Sequence, residues 1–410
     1  MPQISRPWTA SAATRERTAM RAYAELMRHG SARRLMFASA TGKLGFAVFP
    51  LAIVLLGHGS SGSFLDAGVV AGAWSVGGTV TAPLRGRLVD RHGQRWPMGA
   101  MAVLTALAVV GLVTATATTQ LVLSGTLAGA SAPPIVASTR SLWARAVPHD
   151  LLRGAYALEA VLTEVTKICG PLVAAATAVR SPRLGVIVAG ALLVAGSCLV
   201  MSHPPALSAR AASAPDTGSR GALGSPALRL LLLTDVCAGV CLGALTVGLP
   251  ARAAEGGSAA GAGWMFACLG LGSALAGARY GTRHRTAPPA TGYLTALTWL
   301  ALLLALLAAI SAPPLMAILL TLAGAAFAPM TVCLFELLDA HAPRGTAVAS
   351  MMWMVAGEEL GIAAGTMATG ALAQQSGAWP TLTLAAAASG LGATITALRI
   401  TELARDERSP

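Results

Sequence analysis

The sequence predicts an all-α membrane protein, with twelve transmembrane helices in two pseudo-symmetric six-helix bundles. Three observations lead there. The 410 residues are 55% hydrophobic and 11% charged, with a mean hydropathy of +0.65. A soluble domain carries about 25% charged residues and could not hide this much apolar surface from water. The apolar residues gather into twelve runs, each near the roughly 20 residues that cross a hydrocarbon core. The cationic residues, finally, sit almost entirely at alternate ends of those runs.

The first run, 35–56, carries Lys43. The second (65–85) and third (97–117) flank a short basic stretch. The fourth (120–142) and tenth (314–338) contain proline, which membrane helices tolerate where neighbours satisfy the freed carbonyls. The fifth, 154–178, carries Glu159, Glu164 and Lys167, and the sixth covers 184–202. The seventh, 227–250, holds Asp235 and is followed by 260–279 and 292–311. The eleventh, 345–372, carries Glu358 and Glu359 side by side, and the twelfth is 378–399.

Of the 29 Lys and Arg residues, 24 fall on the side of the N-terminus, with Arg85 counted in the loop after the second run. Arg180, Arg183 and Arg252 fall on the other side, and Lys43 and Lys167 lie within runs. The positive-inside rule then places both termini in the cytoplasm of a multi-pass plasma (inner) membrane protein. The net charge of +12 is therefore a topology signal. No RNP-like or helix-turn-helix pattern supports a nucleic-acid partner. The partners expected are the lipid bilayer and a small-molecule substrate. Trp96, Trp143 and Trp379 stand at run boundaries and read as interface anchors. Glu336 and Asp339, at the inner end of the tenth run, read as interfacial.

Residues 1–34 form a cytoplasmic tail without the apolar core of a signal peptide. Within it Met20, Tyr23 and Met27 share one face among arginines, which suits either a short surface helix or a plain tail. The first bundle covers 35–203. Residues 204–226, rich in Ala, Ser, Pro and Gly, read as a cytoplasmic linker to a second bundle at 227–400. A tail at 401–410 ends the chain. The halves repeat: "LAGASAPPIVASTRSLWARAVP" (127–148) matches "LAGAAFAPMTVCLFELLDAHAP" (322–343) at an offset of 195. After a short gap an offset of 191 pairs Gly170 with Gly361 and Lys167 with Glu358, and it also pairs Gly72 with Gly263 and Gly86 with Gly277. Parallel six-span repeats of this kind place their binding site near the midplane between the halves. The six cysteines lie in apolar runs with no histidine nearby, so neither a disulfide framework nor a metal site is expected. The seven histidines read as loop and tail residues.

The stretch after the second run, "GRLVDRHGQR" (86–95), resembles the loop signature of the major facilitator superfamily, with Gly86, Asp90, Arg91, Gly93 and Arg95 at the matching positions. Physically, Gly86 allows close helix packing, Gly93 permits a tight turn, and Asp90 can latch the cytoplasmic side. The second copy, "GARYGTRHR" (277–285), has Gly281 where the acid would fall. "CGPLVAA" (169–175) resembles in part the fifth-span Gly-Pro signature of proton-linked drug antiporters. Gly170 and Pro171 match it as a helix kink, while Thr166 stands where a glycine is expected. The resemblance implies that spans one, four, seven and ten line a central cavity, that spans two, five, eight and eleven join the halves, and that the protein is a monomer.

The intramembrane charges are the chemistry-bearing residues. A charge at mid-membrane costs several kcal/mol and persists where it faces a cavity or a partner. Glu164 and Lys167 are i, i+3 on one helix and can touch. Lys167 and Glu358 each lie 14 residues past a loop arginine (Arg153 and Arg344), about 21 Å of helix, hence near the midplane. Five carboxylates (Glu159, Glu164, Asp235, Glu358, Glu359) face two lysines (Lys43, Lys167), an excess that a low-dielectric site does not hold fully ionised. A secondary transporter exporting a drug or metabolite against protons is the expectation, driven by the proton gradient with no cofactor. An importer or symporter of the same fold stays open, as does a non-transporting sensor. No nucleophile–base pair and no nucleotide-binding loop points to an enzyme or an ATP-driven pump.

Overall fold

A computed structural model describes residues 28–148, 151–203, 224–282, 288–342, 347–400 and 403. The segment holding Met20, Tyr23 and Met27 lies outside the described residues, as do most of the linker and of the C-terminal tail. The described residues contain fourteen α-helices and no strand. In chain order the first half has α1 (Gly30–Ser61), α2 (Phe64–His92), α3 (Arg95–Thr114), α4 (Thr118–Ser131), α5 (Ile135–Ala146), α6 (Leu152–Arg180) and α7 (Pro182–Met201). The second half has α8 (Pro226–Glu255), α9 (Ala262–Thr282), α10 (Pro289–Ala308), α11 (Pro313–Gly324), α12 (Phe327–His341), α13 (Ala347–Ser376) and α14 (Trp379–Leu398). Each half is six spans, because α4 with α5 and α11 with α12 are the two pieces of a broken fourth and a broken tenth span.

Ten segments among the described residues are long and apolar enough to cross a membrane. The helices α2 and α13 are not among them despite their 29 and 30 residues, being more polar. They pack against each other where the halves meet, so protein rather than lipid covers part of their polar surface. A second large joint between the halves is α6 against α9, and α8 also touches α1 and α2. Several glycine-mediated approaches between the halves lie toward the end where α1 finishes at Ser61, and another, Gly270 against Ile168, lies mid-way along α6. Gly68 meets the Thr366 carbonyl, Gly370 the Phe64 carbonyl, and Gly263 meets Ala175 and the Pro171 carbonyl. There too the Phe64 amide donates to Gln374 Oε1 at 3.3 Å.

The repeat is visible in how the backbones cross. Gly77 lies against the Thr126 carbonyl and Gly129 against the Trp74 carbonyl. In the second half Gly272 lies against the Thr321 carbonyl and Gly324 against the Leu269 carbonyl. All four positions recur at an interval of 195, so spans two and eight share the register of spans four and ten. This corrects the 191 pairing of Gly72 with Gly263 and of Gly86 with Gly277, which carried the offset of the later spans back across the gap. Gly281 is the counterpart of Gly86, and Arg285, outside the described residues, that of Asp90.

The break in span four shows how an irregular stretch survives within a bundle. Pro133 and Pro134 have no amide hydrogen, so the carbonyls at 129–132 need other donors. Gly129 accepts from the Ala132 amide at 3.2 Å, Ala130 from Thr81 Oγ1 at 2.9 Å, and Ser131 from Thr105 Oγ1 at 3.1 Å. Ala132 accepts from Arg85 Nη1. Three neighbouring positions on α2 and α3 thus satisfy what proline removes.

Candidate functional site

The first cluster lies within the first half. Lys43 of α1 and Glu159 of α6 form an ion pair, Nζ to Oε1 at 2.8 Å, with only 3% and 10% of the side chains exposed. Ser39 Oγ donates to the same Oε1 at 2.7 Å, Thr139 Oγ1 to it at 3.2 Å, and Trp143 Nε1 to Oε2 at 3.0 Å. Lys43 Nζ also donates to Thr163 Oγ1 at 2.7 Å and to the Glu159 carbonyl at 3.1 Å. Both ions are saturated, and the network ties α1, α5 and α6 together. Trp143 is therefore a core residue, fully buried, and not the membrane anchor its position in the sequence suggests. Trp96 and Trp379 are 82% and 61% exposed.

The second cluster crosses between halves. Lys167 Nζ reaches Glu164 Oε1 at 2.9 Å along α6, and Ser273 Oγ of α9 donates to Glu164 Oε2 at 3.4 Å. Glu358 of α13 lies within electrostatic reach of Lys167 on one side and of Asp235 on the other. Asp235 is buried and makes no hydrogen bond or ion pair with another described residue. Tyr293 of α10, fully buried, donates to Thr234 Oγ1 at 3.2 Å beside it. The structure thus brings together Asp235, Glu358, Lys167 and Glu164, and sets Lys43 and Glu159 apart from them.

Gly239 is what lets the acids meet. It lies against the backbone of Glu358, and a Cβ there would collide with the Glu358 carbonyl. Gly239→Ala should force α8 from α13, an overpacking cost of about 1–3 kcal/mol. Substrate counterflow should fall while the protein still reaches the membrane; unchanged counterflow rates would show that the crossing tolerates the methyl group.

Glu359, the neighbour of Glu358, lies within electrostatic reach of the Arg85 guanidinium of α2 and near Ser75. Arg85 escaped the sequence reading because the second run was closed at that residue, whereas α2 continues to His92. The same extension corrects the gate loop. Gly86, Asp90 and Arg91 are helical, Arg95 opens α3, and only Gly93 and Gln94 form the turn, Gly93 with φ 76°. Gly86 has open space where a Cβ would stand, so it does not serve close packing. His58, His92 and His341, read as loop residues, belong to the terminal turns of α1, α2 and α12. α6 runs unbroken through Gly170 and Pro171, with Gly170 against Ala47 of α1.

A family model described as Major Facilitator Superfamily matches residues 35–357. No curated protein matches the chain. Among solved structures it is similar to the human organic anion transporter MFSD10 (TETRAN), with 19% identity, a TM-score of 0.61 and coverage of 90% of this chain and 99% of that one. It is also similar to the nucleoside transporter NupG, with 11% identity, a TM-score of 0.70 and coverage of 93% and 100%. A bacterial homolog of the human lysosomal transporter Spinster, inward-facing and unoccupied, gives 14% identity, a TM-score of 0.68 and coverage of 93% and 99%. At these identities the likeness is one of fold.

Proposed function

The chain belongs to the major facilitator superfamily and is a secondary transporter, and we propose that it exports a small molecule in exchange for protons by alternating access. The observation that carries this reading is the pair Asp235 and Glu358, two acids on neighbouring helices of one half that face Lys167 from the other. With Glu164 already paired to Lys167, the three carboxylates of the cluster outnumber its one ammonium and leave Asp235 and Glu358 short of positive charge. A proton or a cationic solute supplies it, and the two compete for the same place. Competition at one site is what antiport requires: loading the solute expels the proton, and the return of a proton expels the solute. Because Lys167 belongs to the opposite half, rocking of the halves changes its distance to the acids and thereby their preference for an external cation.

In this reading the proton gradient is the energy source and no cofactor takes part. The working unit is a monomer in the plasma (inner) membrane with both termini in the cytoplasm. Inverted vesicles with an acidic interior test it. Adding members of a panel of cationic, neutral and anionic compounds should release protons for one class only, and the release should vanish in Glu358→Gln. Correctly inserted protein that moves no protons with any compound would remove proton-coupled export from consideration.

A further inference from the structure

We propose that Phe46 is the aromatic wall of the solute site, and that the solute it selects is an aromatic organic cation, whose ring lies on Phe46 while its charge sits against Glu358. The proposal rests on the reading of the protein as a transporter that exchanges a cationic solute for protons.

The direction of Phe46 follows from its neighbours on α1. Lys43, one turn before it, reaches Glu159 of α6, and Ala47, the next residue, lies against Gly170 of α6. Phe49, one turn after it, stacks on Trp74 of α2. At 3.6 residues per turn, Phe46 stands between the side of α1 that meets α6 and the side that meets α2. Those two helices are the ones that cross to α9 and α13 of the other half. The gap between them therefore opens onto the space between the halves and not onto lipid, and Phe46 is 43% exposed there. Its height follows from the same contacts. Phe46 comes one residue before the Ala47–Gly170 contact and Lys167 three before it, so their backbones lie about 3 Å apart along the axis. Gly72 meets the Ala363 carbonyl, and counting along α2 and α13, which run oppositely, sets Trp74 about 5 Å from the height of Glu358. The ring and the acid cluster share one level.

Trp74 makes the wall rigid. It is 7% exposed and is held between Phe46, with ring centroids 5.7 Å apart and a tilt of 54°, and Phe49, at 4.6 Å and 25°. Aromatic pairs at these separations attract. A ring fixed from behind gives up little freedom when a second ring is laid on its open side. That side faces a cleft open enough to leave the Lys167 side chain 58% exposed, where a bare phenyl ring forgoes the burial that would stabilise it. Across the cleft the acids are short of positive charge. Ring faces and carboxylates both attract cations and repel anions. A cation that carries its own ring satisfies both walls at once.

Two probes that differ only in the ring provide the test, benzyltrimethylammonium and its saturated counterpart (cyclohexylmethyl)trimethylammonium. Equilibrium dialysis against the full-length protein in lipid nanodiscs gives a Kd for each. The aromatic probe should bind about fivefold more tightly, the contribution of one ring pair beyond its buried area. Phe46→Leu should bring the ratio close to one and Phe46→Tyr should keep it, while Glu358→Gln should weaken both probes and leave the ratio as it was. A ratio unmoved by Phe46→Leu would overturn the proposal, as would a wild type that binds the two probes equally or binds neither. Equal loss of both probes in Phe46→Leu and Phe46→Tyr would mark Phe46 as a packing residue and overturn it too. The exchange reading is judged separately. Proton release from acidic-inside vesicles on adding another class of compound would keep it standing without the aromatic wall, and no release with any compound would remove both.

Discussion

Asp235→Asn should abolish uphill, proton-driven transport, by roughly two orders of magnitude or more, the range expected when a proton-transferring group is lost. The protein should still fold and insert, because among the described residues Asp235 makes no hydrogen bond or ion pair that the substitution would break, and Asn has nearly its shape. Its 4% exposure and lack of a partner leave a carboxylate with no structural duty. Downhill counterflow of labelled against unlabelled substrate, which needs no proton, should survive in part. Glu358→Gln should behave alike, and the double variant should be no worse than either, since the two acids serve one exchange. The measurement is paired: substrate accumulation against an imposed pH gradient, and counterflow at equal pH. If Asp235→Asn accumulated substrate as the wild type does, the acid pair would not be the coupling site.

The largest effect on stability should come from the other cluster. Removing one partner of a buried, hydrogen-bonded ion pair leaves an unpaired charge and typically costs about 3–5 kcal/mol. Lys43→Met would strand the Glu159 carboxylate among Ser39, Thr139 and Trp143, and Glu159→Gln would strand the Lys43 ammonium. The double variant, Lys43→Met with Glu159→Met, should recover most of the loss, because apolar replacements of a whole buried pair are often neutral. Glu164→Gln should cost under about 1 kcal/mol, since that pair is open to solvent, 58% at Lys167 and 32% at Glu164. Heating in detergent followed by size exclusion would rank the four variants. A Lys43→Met protein as heat-resistant as the wild type would show that the network does not hold the first half together.

What the sequence revealed and what it hid divide along one physical line. Helix existence rests on local composition, so the twelve spans could be read directly. Contacts a turn apart could also be read: Glu164 with Lys167 needed only the i, i+3 rule. The partner of Lys43 lies 116 residues away, and no local pattern announces that α1 faces Glu159. Tryptophan near a run boundary is the usual sign of an anchor, but Trp143 lies at the inner piece of a broken span and turns inward to an acid. Arg85 was misassigned for a related reason. Hydropathy ends a span where charge begins, whereas a long side chain reaching back along its own helix takes the charge with it. The breaks themselves were signalled by proline, but their donors come from α2 and α3, out of reach of a linear reading.

The crossings that recur at 195 residues give this molecule an internal control that few single chains possess. Gly129 and Gly324 make the same approach to a neighbouring carbonyl, in the same register, with different surroundings. One substitution made at both places is a single experiment run twice under identical expression, lipid and temperature. Whatever differs between the twins belongs to the neighbourhood, and whatever they share belongs to the crossing. The ancestry written into the backbone thus becomes an instrument for asking which half of the carrier is stiff and which yields.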